Sequence, residues 1–328
     1  MKTKKQLRIS RRAFCATSLA LPWVWVRRPM AAESRSFEFQ PYRPGKTLCP
    51  VTKVTPDDGY YIHTFFDRSP IGPSGRHLVC MRLPFQDRAP EPGDKAEICL
   101  VDLENQTIEA VYATAGWEPQ TAAHQQWGPS GRYIYFTDVE DHMPVVVRYD
   151  LAKRSHEIFE GPLYQISPDE TWAASVDLRI IGATQGGYGV IVEPKYIPEV
   201  KPGASAKDGL WKTDFRTGKK SLLVSYADAF EAVPRKERFA GGTIYGFHVK
   251  FNRDGSRMML VVRNLPPEGR MQPMLMTFKP DGSDIRLALD TDIWSKGGHH
   301  PDWHPNGEDV THNLKIDGTM RFCQYPYD

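Results

Sequence analysis

Trp127-Gly128-Pro129-Ser130-Gly131 is one of five copies of a single turn, in which an apolar and mostly aromatic residue enters a bend built on Pro or Asp. The other copies are Ile71-Gly72-Pro73-Ser74-Gly75, Ile166-Ser167-Pro168-Asp169-Glu170, Phe251-Asn252-Arg253-Asp254-Gly255 and Trp303-His304-Pro305-Asn306-Gly307. Pro and Asp preset the bend, and the Gly that ends four of the five copies supplies a left-handed backbone position. A short run rich in β-branched and aromatic residues follows each turn, at 77–83, 133–137, 171–178, 257–262 and 309–314. A second run, often closing on Asp, follows at 97–102, 145–150, 209–214, 274–278 and 320–324, and most units add a third at 108–114, 156–160, 219–225 or 285–289. Each unit reads as an antiparallel meander of about four strands.

A turn that recurs before each of five meanders points to radial stacking, because each twisted blade buries its two faces on its neighbours and keeps only short edges. A β-sandwich, the competing all-β architecture, gives no reason for the repetition. The fold class is therefore all-β: a β-propeller of four-stranded blades with five repeats visible. The 26 Gly and 27 Pro exclude a helical bundle and, being scattered, also exclude collagen-like order. Residues 33–59 form a lead-in and 60–328 the propeller. Within it, 182–207 reads as a long inserted loop carrying Gly186-Gly187-Tyr188-Gly189 and several Pro, and long ordered loops on a rigid scaffold commonly carry function.

The first 32 residues hold eight of the 42 Lys and Arg and none of the 40 Asp and Glu. Their order is a basic stretch, then Ser10-Arg11-Arg12-Ala13-Phe14, an apolar stretch to residue 26, and small residues at Ala31 and Ala32. This is the layout of a twin-arginine export signal, so a periplasmic or secreted mature protein is expected. Without the signal, 34 basic residues stand against 40 acidic ones, a formal charge of −6. That charge argues against nucleic acid, whose phosphates demand a dense basic face. No uncharged apolar run approaches the ~18 residues that a membrane span requires. Cys49, Cys80, Cys99 and Cys323 remain, with no CxxC metal or redox spacing. Cys80 and Cys99 fall on neighbouring strands and are read as packing groups rather than as a disulfide.

Three residues before the aromatic of the turn stands a histidine in three units: His124, His248 and His300. Equal register in successive blades places these imidazoles around one mouth of the central channel, with His299 and His304 close by. Converging neutral imidazoles suit a first-row divalent cation such as Zn or Mn, and they also suit a general base. The competing structural reading is that each His satisfies backbone groups at a blade edge.

Four stretches together resemble the oligogalacturonate lyase and ulvan lyase propeller group. They are His124-Gln125-Gln126-Trp127-Gly128; Gly187-Tyr188-Gly189 followed by Asp208-Gly209-Leu210-Trp211-Lys212-Thr213-Asp214; His248 to Gly255; and Gly298-His299-His300-Pro301-Asp302-Trp303. The likeness runs over most of 60–328. It implies a seven-bladed propeller that handles a uronate sugar near its axis, so the five visible copies leave either a smaller ring or a C-terminally incomplete one, and an incomplete ring could take up a protein partner. The resemblance implies β-elimination, which needs a cation on the carboxylate, a base for the C5 proton and a proton donor for the leaving oxygen. Under it His248 and His300, helped by His299 and Gln125, are metal ligands; His124 is the base; Tyr188 is base or leaving-group acid; and Arg179 meets the carboxylate. The expected partner is an acidic carbohydrate. The competing functions are a non-catalytic propeller that binds a sugar or a protein, as Tol-system propellers with similar turns suggest, and an accessory domain of a hydrolase.

Overall fold

Antiparallel hairpins supply nearly all the regular structure in the computed structural model, which describes residues 34–328. The expected export signal, 1–32, lies outside the described residues. Among the described residues there are six sheets: a two-stranded one in the lead-in, Gln40–Pro41 with Thr52–Lys53, and five that follow one another along the chain as blades. Blade 1 runs outward from Tyr60–Ile62 through His77–Leu83 and Ala96–Asp102 to Thr107–Thr114, with Arg35–Ser36 added to its outer edge. Blade 2 comprises Gln126–Trp127, Tyr133–Glu140, Met143–Asp150 and Ser155–Glu160. Blade 3 comprises Gln165–Ile166, Trp172–Ser175, Gly209–Asp214 and Lys220–Ser225. Blade 4 comprises Thr243–Phe251, Met258–Leu265, Gln272–Phe278 and Arg286–Leu289, and blade 5 comprises Gly298–Trp303, Asp309–Ile316 and Thr319–Pro326. The propeller read from the turns is thus the architecture observed. Among the described residues no helix is long and apolar enough to cross a membrane.

The five turns share one bonding pattern. The amide of the second turn residue donates to the carbonyl five residues on, from Gly72 to His77, Gly128 to Tyr133, Ser167 to Trp172, Asn252 to Arg257 and His304 to Asp309, all at 2.8–2.9 Å. The fifth residue takes positive φ in every copy: Gly75, Gly131, Glu170, Gly255 and Gly307 lie between 55° and 78°. Glu170 is the copy without Gly. Its carboxylate accepts from the Ser130 amide and hydroxyl in the turn of blade 2, and from the Tyr135 hydroxyl. The left-handed strain at Glu170 is offset by a clamp between two blades.

Strand alternation does the packing between blades. On one strand of blade 2, Ile134 and Phe136 pack with Val79 and Met81 of blade 1, whereas Tyr135 between them packs with Ile166 and Ala173 of blade 3. Both faces of an inner strand are buried, so its sequence reads as a continuous apolar run. Cys80 and Cys99 sit opposite each other across their hairpin, unbonded, beside Leu78, Val101 and Ile108. They pack as small apolar groups, and burial pushes the Cys99 thiol up to about 12.

One expected strand is corrected. The run 171–178 stops at Ser175, because the Asp177 carboxylate accepts from the Arg179 amide and caps a helix, α1, Leu178–Thr184, whose Leu178, Ile180 and Ile181 turn inward. The inserted segment therefore begins as a helix inside blade 3 and returns to the sheet at Gly209.

The Glu170 clamp is testable by urea unfolding. Both Glu170→Gly and Glu170→Ala are expected to be less stable than wild type. The Ala variant should be the weaker by ~1 kcal/mol, since it loses the clamp and keeps the left-handed backbone. A Glu170→Gly variant as stable as wild type would remove the clamp from the account.

Candidate active site

Backbone irregularity marks the register at which the histidines stand. The inner strand of blade 4 shifts register between Gly246 and Val249, and that of blade 5 between His299 and Asp302, so His248 and His300 both sit on bulges. His124 and His300 also adopt positive φ, 53° and 64°. A bulge re-aims a side chain out of the ladder, and here it aims imidazoles toward the axis.

The segment between Ile62 and Ile71, which links blade 1's inner strand to its turn, fills the space these imidazoles share. Phe65 meets His248 edge-on at 5.4 Å between ring centroids, His300 at 5.9 Å and Tyr188 at 6.2 Å. Phe66 lies 4.3 Å from His300. On the other side Tyr164 separates His124 from His248, at 5.0 and 5.4 Å. The three histidines therefore converge on one region, but aromatic rings stand between them.

Beneath Phe66 is a buried ion pair. The Lys250 ammonium, 1% exposed, lies 3.1 Å from the Asp67 carboxylate, donates to the Pro301 carbonyl at 2.7 Å and sits 4.3 Å from the Phe66 ring centroid. Burial alone would raise the Asp67 carboxyl, but Arg68 and Lys250 outweigh it and hold the group well below the usual carboxylate range. Burial and the Lys250 charge drive His248 far below the ordinary imidazole range, and burial with Arg68 takes His124 down to about 3. Burial thus disfavours the charged form of both rings.

A cavity of about 120 Å³ opens beside this cluster, lined by Phe65, Tyr188, His248, Arg263, His299 and His300. Arg263 was not legible as a site residue. It extends from the end of the apolar run 258–262, stacks its guanidinium 3.8 Å from the Phe247 ring centroid and donates to Gln185. Its Nε is buried without a hydrogen-bond partner, which is costly for a charged group.

The other expected residues lie elsewhere. Arg179, at the start of α1, is held by Asp177 through contacts of 2.6 and 3.0 Å and donates to the Tyr196 carbonyl. Gln125 spends its carbonyl oxygen on the Ala123 amide and does not line the cavity. His124 lies behind Tyr164 and does not line it either. His304 serves the fifth turn, accepting from the Asn306 amide.

Imidazole nitrogens are the donor type a divalent cation would use, and the expected ligands can be placed one by one. His248 is buried with neither ring nitrogen hydrogen-bonded, and the Nδ1 atoms of His299 and His300 stand 2.8 Å apart. Among the described residues no three His, Cys, Asp or Glu side chains meet at one point, because Phe65 occupies the middle. Of the four expected ligands, His248, His299 and His300 line the cavity and Gln125 does not.

No family model and no curated protein matches the chain. Among solved structures it is similar in fold to an oligogalacturonate lyase in complex with manganese, at 16% identity and a TM-score of 0.59, covering 90% of this chain and 71% of that one. It is also similar to TolB from Acinetobacter baumannii, at 13% identity and a TM-score of 0.46, covering 86% and 55%, and to dipeptidyl peptidase 4 from Porphyromonas gingivalis, at 11% and 0.43, covering 92% and 44%.

Two measurements follow from the geometry. Lys250→Met is expected to lose ~3–5 kcal/mol in urea unfolding because it strands the Asp67 charge, and adding Asp67→Leu should restore most of the loss. Burial pushes the Glu118 carboxyl up to about 7. A native pKa above the unfolded one means that its contribution to stability is complete below ~pH 4 and is lost as pH rises through about 7. Glu118→Gln should therefore melt above wild type near about pH 8, with the gap closing toward about pH 5.

Proposed function

We propose that the protein is an exported polysaccharide lyase that cleaves uronate-containing chains by β-elimination at the cavity beside Phe65. The observation that carries the reading is the meeting of Tyr188, three imidazoles and the Arg263 cation around one small opening. An opening of about 120 Å³ admits a carboxylate and the adjoining C5 edge rather than a whole sugar.

Arg263 takes the carboxylate-neutralising role expected of Arg179, which Asp177 already occupies. A guanidinium that lines the opening and stacks on Phe247 supplies the fixed positive charge a carboxylate needs. Tyr188, on the inserted segment, is the proton-handling group. In the step proposed, a Tyr188 phenolate that has first given its proton to solvent removes the C5 proton, the C5–H electrons form the C4–C5 double bond, the C4–O bond breaks, and the re-formed hydroxyl passes the proton to the leaving oxygen, which restores the phenolate. His248, His299 and His300 bind the polar face of the sugar and would hold a divalent cation such as Mn or Zn; when bound, that ion would supply further charge neutralisation at the carboxylate. His124, neutral and shut behind Tyr164, supports the wall of the site and leaves the base role to Tyr188. Twin-arginine export to the periplasm or beyond would bring the folded protein to such a substrate.

A second reading, a non-catalytic propeller that binds a carbohydrate or a periplasmic protein, has one observation in its favour. The outer strand of blade 5 presents Met320 and Phe322 to solvent, 48% and 75% exposed, as a protein-binding edge would.

The test is ultraviolet absorbance of the unsaturated uronate end while the protein is supplied with polygalacturonate, ulvan and related chains. Elimination should appear on at least one, fall by roughly 10³-fold or more in Tyr188→Phe, and fall in Arg263→Ala mainly through kcat/KM. Metal content of wild type should exceed that of a His248→Ala, His300→Ala double variant. Silence on every uronate, with and without added divalent metal, sinks the lyase reading, and retained binding would favour the second one.

A further inference from the structure

A larger cavity lies elsewhere: a cleft of about 680 Å³ under the inserted segment, walled by residues 198–208 on one side and by Arg179, Trp211, Lys220 and Tyr245 on the other. We propose that this cleft is a second carbohydrate site, which holds the acidic sugar units flanking the one that reacts. The inference rests on the proposed lyase reading for its substrate class, and it adds a site that the reaction itself does not need.

Size is the first argument. Sites that enclose small organic ligands run from roughly 300 to 1,000 Å³, a range the cleft meets and the reaction cavity does not. A polymer anchored at the small opening must lay its remaining units somewhere.

The second argument is continuity. Two elements line both cavities. Along the inner strand of blade 4, Ile244 and Tyr245 line the cleft while Phe247 and His248 line the reaction cavity. Tyr245 and Phe247 are two residues apart, a step of about 7 Å on an extended strand. Along the inserted segment, Asp177, Arg179 and Ile180 at the start of α1 line the cleft, and Gln185 and Tyr188 just past its end line the cavity. A seven-residue helix spans about 10 Å, so the two openings are separated by a sugar unit or two rather than by a domain.

The third argument is surface chemistry. The Trp211 indole donates to the Asp208 carboxylate at 2.9 Å, which fixes the ring at the cleft wall, and the Lys220 ammonium stands 5.1 Å from its centroid. A fixed indole offers an apolar face to the C–H side of a pyranose. Lys220 and Lys207 have no carboxylate partner among the described residues, so they are available to uronate carboxylates. Arg179, tied to Asp177, shapes the floor and contributes no free charge.

The experiment compares calorimetric binding of digalacturonate with that of a longer oligogalacturonate, and repeats the pair with ulvan oligosaccharides, using the full chain and its Trp211→Ala and Lys220→Gln variants. Wild type should favour the longer oligomer, and Trp211→Ala should reduce the long-to-short affinity ratio roughly tenfold. Lys220→Gln, a surface change that leaves the indole in place, should reduce the same ratio and weaken its salt dependence. An affinity ratio that both variants leave unchanged overturns the proposal. So does a long oligomer that binds no better than the dimer to wild type. The two readings separate cleanly: a length dependence carried by Trp211 without elimination leaves the cleft standing and the lyase reading fallen, and elimination without length dependence does the reverse.

Discussion

The buried contact between Lys250 and Asp67 is the constraint on which the axial region depends. Removing two charges from water costs several kcal/mol per ion, and only close geometry with further polar partners offsets it. Lys250 finds those partners in the Pro301 carbonyl, in Asp302 at 3.6 Å and in the face of Phe66. The pair therefore joins the segment after blade 1's inner strand to the inner strands of blades 4 and 5. It also fixes Phe65 two residues away, and Phe65 decides how far apart the histidines stand. Burial lowers the pKa of both the His248 and the His300 imidazole; the Lys250 charge lowers each further, and His299 does so at His300.

Around this centre the blades are held by repeated local devices. Trp127 donates from its indole to the Pro70 carbonyl of blade 1, and Trp303 does the same to the Lys250 carbonyl of blade 4, at 2.8 and 3.1 Å. Gln126 bonds both the Tyr164 carbonyl and the Ile166 amide of blade 3, and Gln165 accepts from the Phe251 amide of blade 4. The aromatic that opens the turn, and the amide residue beside it, are thus inter-blade fasteners. This gives the recurring sequence a physical cause beyond turn formation.

That cause also explains which features were legible in the sequence. Turns and strands are set by local chemistry, so the five copies of the bend and the alternation between them located every blade. The histidine register was legible for the same reason, since equivalent repeat positions share space. Phe65, Asp67 and Arg263 were not, because their roles come from contacts that cross the ring and no repeat announces them. Lys250 did leave a sign: it is a charge within the run Phe247-His248-Val249-Lys250-Phe251, where an inner strand should be apolar, and such a residue requires a buried partner. Arg179 misled because its partner is Asp177, two residues earlier, and the same Asp177 ended the strand by capping a helix.

The helix that upset the strand reading also organises the surface near the site. With Asp177 capping its start and the Gly187-Tyr188-Gly189 bend following its end, α1 holds the inserted segment against blade 4 at both ends. Gly189 is required there: with φ of 87°, a Cβ would stand 2.3 Å from the Leu178 carbonyl oxygen, so the segment folds back onto its own helix only with glycine at that position. The Val190 amide then bonds that same carbonyl, closing the bend. Tyr188 is consequently presented by a braced corner rather than by a free loop, and its ring packs against Phe247 at 5.0 Å as well as Phe65. The proton-transfer role proposed for Tyr188 requires a group held to a fraction of an ångström, and the bend built on Gly189 would supply that positioning from backbone alone.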